Sequence, residues 1–243
     1  MHTLLKNYAK GFVGGAIVGV GSEIVGLGTE TVLGLETPQH ALQRLQQSKN
    51  QVGLANGFIF ANVPLIKKGI LLGANWDSTN EKDALKIGIF TGVGLCLLQN
   101  AIFTPVNNHK KHKEETGECI FKQGFGKAYE GYKTNVISSL PFFTTFLGTS
   151  ELLTSRYNSC VAPYVKNPLH SYLSIAAIGA TSAAAAVTNK IVFNTIWDKV
   201  KLDKKIDGKK TLKTAVKTTF AVSVRAAAKK VIGKNVFGLL AKF

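Results

Sequence analysis

Six apolar stretches alternate with polar links along the chain. They cover about residues 9–36, 54–75, 84–104, 134–155, 170–196 and 212–240. A helix that crosses a bilayer needs about 20 predominantly apolar residues, and the first five stretches reach that length. The sixth holds Arg225, Lys229 and Lys230 and is amphipathic rather than apolar. The pattern predicts an all-α membrane protein with six transmembrane helices and no second domain.

Prolines punctuate the pattern. Pro38 and Pro105 each follow a Gly-rich apolar stretch and open a polar, basic one, and a third such change falls at Phe193–Asp198 without a proline. Pro64 and Pro141 then lie inside the apolar stretches that return. Each proline is expected to break or kink its helix. The recurrence predicts three two-helix units, residues 1–79, 80–165 and 166–243. Gly11, Gly15 and Gly19, and likewise Gly88 and Gly92, recur at a spacing of four. Small residues so spaced let a second helix approach closely in lipid. Glu23 and Glu30 are seven apart and share a helical face. A carboxylate facing lipid is costly, so both are expected to face a bundle interior, as counter-charges or as proton-coupling groups. Lys67 and Lys68 sit within the second stretch, where they either snorkel or face a cavity.

Composition supports the membrane reading. Of 243 residues, 45% are hydrophobic and 24 are glycine, with a mean hydropathy of +0.11. The formal net charge of +16 comes from lysine, since arginine occurs only at Arg44, Arg156 and Arg225. The basic residues concentrate in the links after the first, third and fifth stretches. That bias places those links on the cytoplasmic or matrix side and both termini opposite. No zinc spacing, recognition helix or aromatic-and-basic strand pattern points to nucleic acid. Cys96, Cys119 and Cys160 are isolated and form no framework or metal site, and His109 and His112 read as part of a solvated lysine run. The Gly-x-Gly pairs in 19–34 follow no strand and misplace the third glycine of a dinucleotide fingerprint. No histidine stands in register with Ser150 and Glu151. We therefore expect no enzyme and no cofactor.

The residues resemble the mitochondrial carrier family, whose three repeats each join a Gly-rich odd helix ending in Pro-x-Asp/Glu-x-x-Lys/Arg to a matrix segment and an even helix. Pro38 to Gln43, followed by Arg44-Leu45-Gln46, is similar to the first motif. Pro105 to Lys110 is similar to the second, and Phe193 to Asp198 stands where the third falls. Residues 124–153, from the Gly-aromatic turn through Pro141, are the closest match. The resemblance implies three repeats with pseudo-threefold symmetry, covering nearly the whole chain. Pro38 and Pro105 lie closer together than the motif prolines of the family, which implies shortened matrix helices and a vestigial first one. The acidic third residue of the motif is absent from all three copies, and only Lys110 keeps the basic sixth. The matrix-side gate is then expected to rest on hydrogen bonds of His40, Asn107 and Thr195, and to be looser than an ion-pair network.

Carried over residue by residue, the family's substrate contacts fall on Ala61, on Ser138 with its neighbour Ser139, and on Arg225. The planar fork of Arg225 suits a phosphate or carboxylate; its alternatives are pairing with a structural glutamate or a solvated face. Lys67 and Lys68 add positive potential. The resemblance implies transport of an anionic solute, a nucleotide or carboxylate, by a monomer in the mitochondrial inner membrane, or that of a host cell if the source is an intracellular microbe. Membrane lipids, including anionic ones such as cardiolipin, are the other expected partners. The alternative is a non-transporting scaffold or interaction protein on a degenerate carrier frame, and a surface-inserting cationic helical protein is a third reading.

Overall fold

The computed structural model describes residues 2–165, 167–202 and 208–242. Helices α1 (His2–Val32), α2 (Pro38–Ala74) and α3 (Glu81–Thr116) are followed by a short α4 (Phe125–Ala128), then by α5 (Tyr132–Cys160), α6 (Pro168–Leu202) and α7 (Gly208–Leu240). No strand occurs among the described residues. Lys166 and residues 203–207, which hold part of the expected basic cluster, lie outside them.

The six apolar stretches are all helical, but their ends differ from expectation. Pro38 does not end a helix; it opens one. The chain leaves α1 at Val32, turns through Gly34 at a φ of +67°, and starts α2 at Pro38. Proline fits the first helical position, where its missing N–H has no partner to lose, and the Thr37 side chain caps the turn by accepting from the His40 N–H at 3.3 Å. The polar residues 39–51 and the apolar residues 54–75 then form one helix through Pro64. No separate helix stands between them. Pro105 does not end α3 either: it is buried inside a helix that runs on to Thr116 and stops at Gly117, where φ is +74°. Phe193–Asp198 lies within an unbroken α6. Packed neighbours stabilise prolines inside membrane helices by re-satisfying the freed backbone, so proline is a poor terminator here.

Each long helix packs against its neighbours in chain order, and α7 returns to α1. The result is a closed ring ordered α1, α2, α3, α5, α6, α7. Packing is most extensive within the antiparallel pairs α1/α2, α3/α5 and α6/α7, and sparsest between α2 and α3. Small residues make the pairs. A Cβ on Gly15 would stand 2.6 Å from the Phe60 Cβ and 2.7 Å from the Asn56 oxygen of α2; one on Gly92 would stand 2.6 Å from the Phe143 oxygen of α5. A Cβ on Gly88 would overlap the Leu147 carbonyl, and one on Gly179 would meet the Ala226 oxygen of α7 at 2.7 Å. The glycine periodicity thus marks the helix faces that touch.

The buried core is small and rich in Ala, Gly and Ser, while Val13, Ile17, Leu72, Phe90, Leu97, Leu173 and Val192 are exposed. Apolar side chains outside and small ones between helices are what a lipid-facing protein requires. The accessible surface of 14881 Å² exceeds the about 10,500 Å² of a compact soluble chain of this mass. Among the described residues five helices, α1, α2, α3, the α4–α5 stretch and α6, are long and apolar enough to cross a membrane. We therefore describe a multi-pass, all-α membrane protein. A helix of 37 residues such as α2 is about 55 Å long against a hydrocarbon core of about 30 Å, so the polar first turns of α2 project beyond the bilayer, as do the last turns of α3.

Substituting Gly88 by Leu will lower the thermal midpoint in detergent, with a cost of about 1–3 kcal/mol from overpacking. Gly28→Ala, at a position where a Cβ meets nothing within 4 Å, will be neutral or stabilising. Equal melting of Gly88→Leu and the wild type would contradict the close α3–α5 contact.

Candidate functional site

Charged side chains inside the ring gather in two centres. The first joins α1, α2 and α7. Glu23 and Glu30 share one face of α1, as their spacing requires, and both reach Arg225 of α7. The Arg225 guanidinium donates Nε to Glu23 Oε2 at 2.7 Å and a terminal nitrogen to Glu23 Oε1 at 3.1 Å. Its other terminal nitrogen donates to Glu30 Oε1 at 2.7 Å and to the Ala221 carbonyl at 3.2 Å. Gly26 makes room for it: a Cβ there would stand 2.7 Å from the Arg225 Cγ. Arg225 retains 15% side-chain exposure and its two glutamates 14% and 11%. A desolvated fork with all its strong acceptors inside the protein is a structural clamp.

The centre continues outward. Arg44 of α2 donates to Glu30 at 3.4 Å and to Glu36 at 2.6 Å, and Glu36 also pairs with the His40 Nδ1. A ladder of alternating charge thus runs from Glu23, well inside α1, to His40 at the exposed start of α2. A cavity of about 400 Å³ opens beside it, with Lys217 and Phe220 on its α7 side. Hydrogen bonding from His40 and then from Arg44 holds the Glu36 carboxyl below the usual carboxylate range.

The second centre crosses the ring. Lys67 of α2 donates to Glu151 Oε2 of α5 at 2.7 Å, and the Lys230 ammonium of α7 lies within electrostatic reach of both. These three helices are alternate members of the ring; α2 and α7 touch through the stacked rings of Phe60 and Phe237, 5.5 Å apart, and Lys67 reaches Glu151 across the ring interior.

The expected site residues separate. Arg225, Glu23 and Glu30 come together, with the glutamates as counter-charges. Ala61 is buried against Gly11 of α1. Ser138 donates to the Asn135 carbonyl of its own helix, while Ser139 donates to the same carbonyl and meets Asn100 and Cys96 in the α3–α5 seam. Neither Ala61 nor Ser138 lines the Arg225 cavity. Lys67 faces inward and Lys68, about 100° round the helix, is exposed. The gate residues do not meet. His40 pairs with Glu36, Asn107 is exposed, and among the described residues no hydrogen bond joins His40, Asn107 and Thr195. Asn108 instead ties α3 to the Ala128 and Glu130 carbonyls, both at 2.9 Å. Lys110 is exposed and 3.9 Å from Glu114. Pro141 lines an apolar groove of about 710 Å³ between α3, α5 and α6.

Sequence reasoning missed Glu36, Arg44, Gly26 and Glu151 as site residues. Glu36, His40 and Arg44 carried a signal: they fall at i, i+4 and i+8, the spacing of one helical face. The other two carried none, because their partners lie far along the chain. No family model, no curated protein and no solved structure matches the chain.

Truncating Arg225 to Ala will leave two carboxylates without their partner and lower stability by about 3–5 kcal/mol, the usual cost of breaking a buried pair. Arg225→Lys will recover only part of this, since lysine lacks the fork; thermal unfolding in detergent measures both. The Glu36 contribution has a defined pH dependence. A folded-state value held below the ordinary 4.5 makes the contribution complete above that value and lost as pH falls through the depressed one. The difference in thermal midpoint between wild type and Glu36→Gln will therefore shrink on acidification below pH 4.5. A difference that holds constant from neutral pH to strong acid would show that this carboxylate does not clamp the ladder.

Proposed function

We propose that the protein carries an anionic solute, a nucleotide or a carboxylate, across a membrane by alternating access. The observation that carries this reading is the closed ring of long helices whose alternate members α2, α5 and α7 turn charged side chains toward its interior. Ionisable groups at membrane depth are costly and are characteristic of solute and ion pathways. The lysine excess gives the interior and one face a positive potential that draws anions. Three antiparallel helix pairs in chain order are what supports the carrier resemblance, and that resemblance implies three repeats and a mitochondrial inner membrane with the basic links toward the matrix.

A second reading has its own support. Arg225, the expected solute ligand, is saturated by Glu23 and Glu30, and the gate residues of the motif do not engage one another. Both features suit a non-transporting membrane protein on a carrier-like frame.

Reconstitution in liposomes distinguishes the two. Vesicles loaded with phosphate, a dicarboxylate or a nucleotide will exchange a labelled anion of the same kind when they contain the protein, and Arg225→Lys will slow the exchange. Absence of exchange for all three anions, with the protein folded and inserted, excludes the transport reading and leaves the static one.

A further inference from the structure

The second charge centre holds more cations than its carboxylate can match. Lys67, Glu151 and Lys230 stand seven, nine and ten residues before the ends of α2, α5 and α7 at Ala74, Cys160 and Leu240. At 1.5 Å per residue all three lie about 10–15 Å from the same face of the ring, so the level at which they meet is set by the helices themselves. The stem of Lys230 is fixed as well: its Cγ lies 3.0 Å from where a Cβ on Gly179 of α6 would stand. The larger side chain that any other residue would carry there would push Lys230 away from Glu151.

Glu151 forms its ion pair with Lys67 alone, and no carboxylate lies within 4.0 Å of the Lys230 ammonium among the described residues. A half-buried ammonium inside a ring of membrane helices is costly without a counter-ion. Lys67 and Glu151 keep 29% and 26% side-chain exposure, so the pair is reachable by a small solute. Arg225, by contrast, commits four of its five N–H donors to Glu23, Glu30 and the Ala221 carbonyl.

We propose that Lys67 and Lys230 form an oxyanion site and that Glu151 is its internal occupant, displaced when a solute binds. The site takes a group with two negative charges, a phosphate monoester or a dicarboxylate. Such a group matches both ammonium ions, where the single carboxylate of Glu151 matches one. The inference rests on the anion reading above for the class of solute and not for transport itself. It moves the solute contact from Arg225, Ala61 and Ser138 to a set of residues on the same three helices but nearer the opposite face.

The native protein supplies the test. A water-soluble carbodiimide joins a carboxylate and an amine in contact, so it will couple Glu151 to Lys67, read by peptide mass spectrometry. The exposed Lys127–Glu130 pair at 3.0 Å reports reagent consumption in the same sample. Inorganic phosphate at about ten times its half-saturating concentration leaves about a tenth of the sites empty by mass action. It will therefore lower the Lys67–Glu151 product about ten-fold relative to the Lys127–Glu130 product, whereas chloride at matched ionic strength will not. Glu151→Gln, which removes the occupant, will lower the phosphate concentration needed for thermal stabilisation, and Lys67→Gln or Lys230→Gln will abolish that stabilisation. A Lys67–Glu151 product that phosphate and succinate leave unchanged overturns the proposal, as does undiminished stabilisation in both lysine variants. The outcomes separate from those of the exchange assay: displacement without exchange keeps this site and removes transport, and exchange without displacement does the reverse.

Discussion

A carboxylate carried into the membrane on a helix must find a cation there, and Glu23 and Glu30 find Arg225. That constraint organises the ring. α1 and α7 stand at opposite ends of the chain, and no hairpin geometry brings them together. The fork on two glutamates, whose partners are 195 and 202 positions apart in sequence, does so together with close packing of Gly14 on Phe237 and of Gly21 on Ile232. It fixes the rotation of α1, since both carboxylates must face α7, and that rotation in turn presents Gly11, Gly15 and Gly19 to α2. The Gly11–Gly15–Gly19 stripe thus faces α2, the two glutamates with Gly14 and Gly21 face α7, and Gly26 supplies the space in which the guanidinium lies.

Close packing and charge act at different places. The antiparallel pairs are held by small residues, with Gly88 and Gly92 letting α3 lie on the α5 backbone and Gly179 letting α6 lie on α7. Those close contacts are supplemented by polar ones, Asn100 with Ser139 between α3 and α5 and Tyr172 with Asn235 between α6 and α7. The charged contacts are few: Arg225 joins α7 to α1, Arg44 joins α2 to α1, and Lys67 joins α2 to α5, a pair that no glycine stripe brings together. The sparse α2–α3 joint has neither device in quantity. It rests on contacts such as Gly94 on Ile66, where an added Cβ would stand at 3.0 Å, and the edge-to-face pair of Phe58 and Phe103.

Much of this was legible in the sequence, for identifiable reasons. Helix number was legible because lipid requires about 20 apolar residues per crossing. The inward face of α1 was legible because two glutamates seven apart have one tolerable direction. Helix ends were less so: Pro38 and Pro105 read as stops, yet one is an N-terminal position and the other is held inside a packed helix. α7 is less apolar than the others because Arg225, Lys229 and Lys230 are drawn into the bundle while Lys213, Lys217 and Lys234 stay exposed. Arg225 stood out as a lone arginine, but its pairing with α1 depends on ring closure, which no local pattern encodes. Lys67 and Lys68 were indistinguishable until the helix rotation separated them by about 100°. Ala61 and Ser138 came from the resemblance and not from their own chemistry, and each proved to be engaged in packing or in a bond to its own backbone.

Lys229 and Lys230 are adjacent on α7 yet answer to different centres, the first in the field of Glu23 and the second in that of Glu151. Arg225, one turn before Lys229, belongs with the first. α7 thus works as a shared axle. A twist about its own axis large enough to free the guanidinium from α1 also swings Lys230 away from the α2–α5 strut, so the two centres cannot loosen independently by that motion. Coupling between the two centres then needs no chain of intermediates, because one helix carries cations of both.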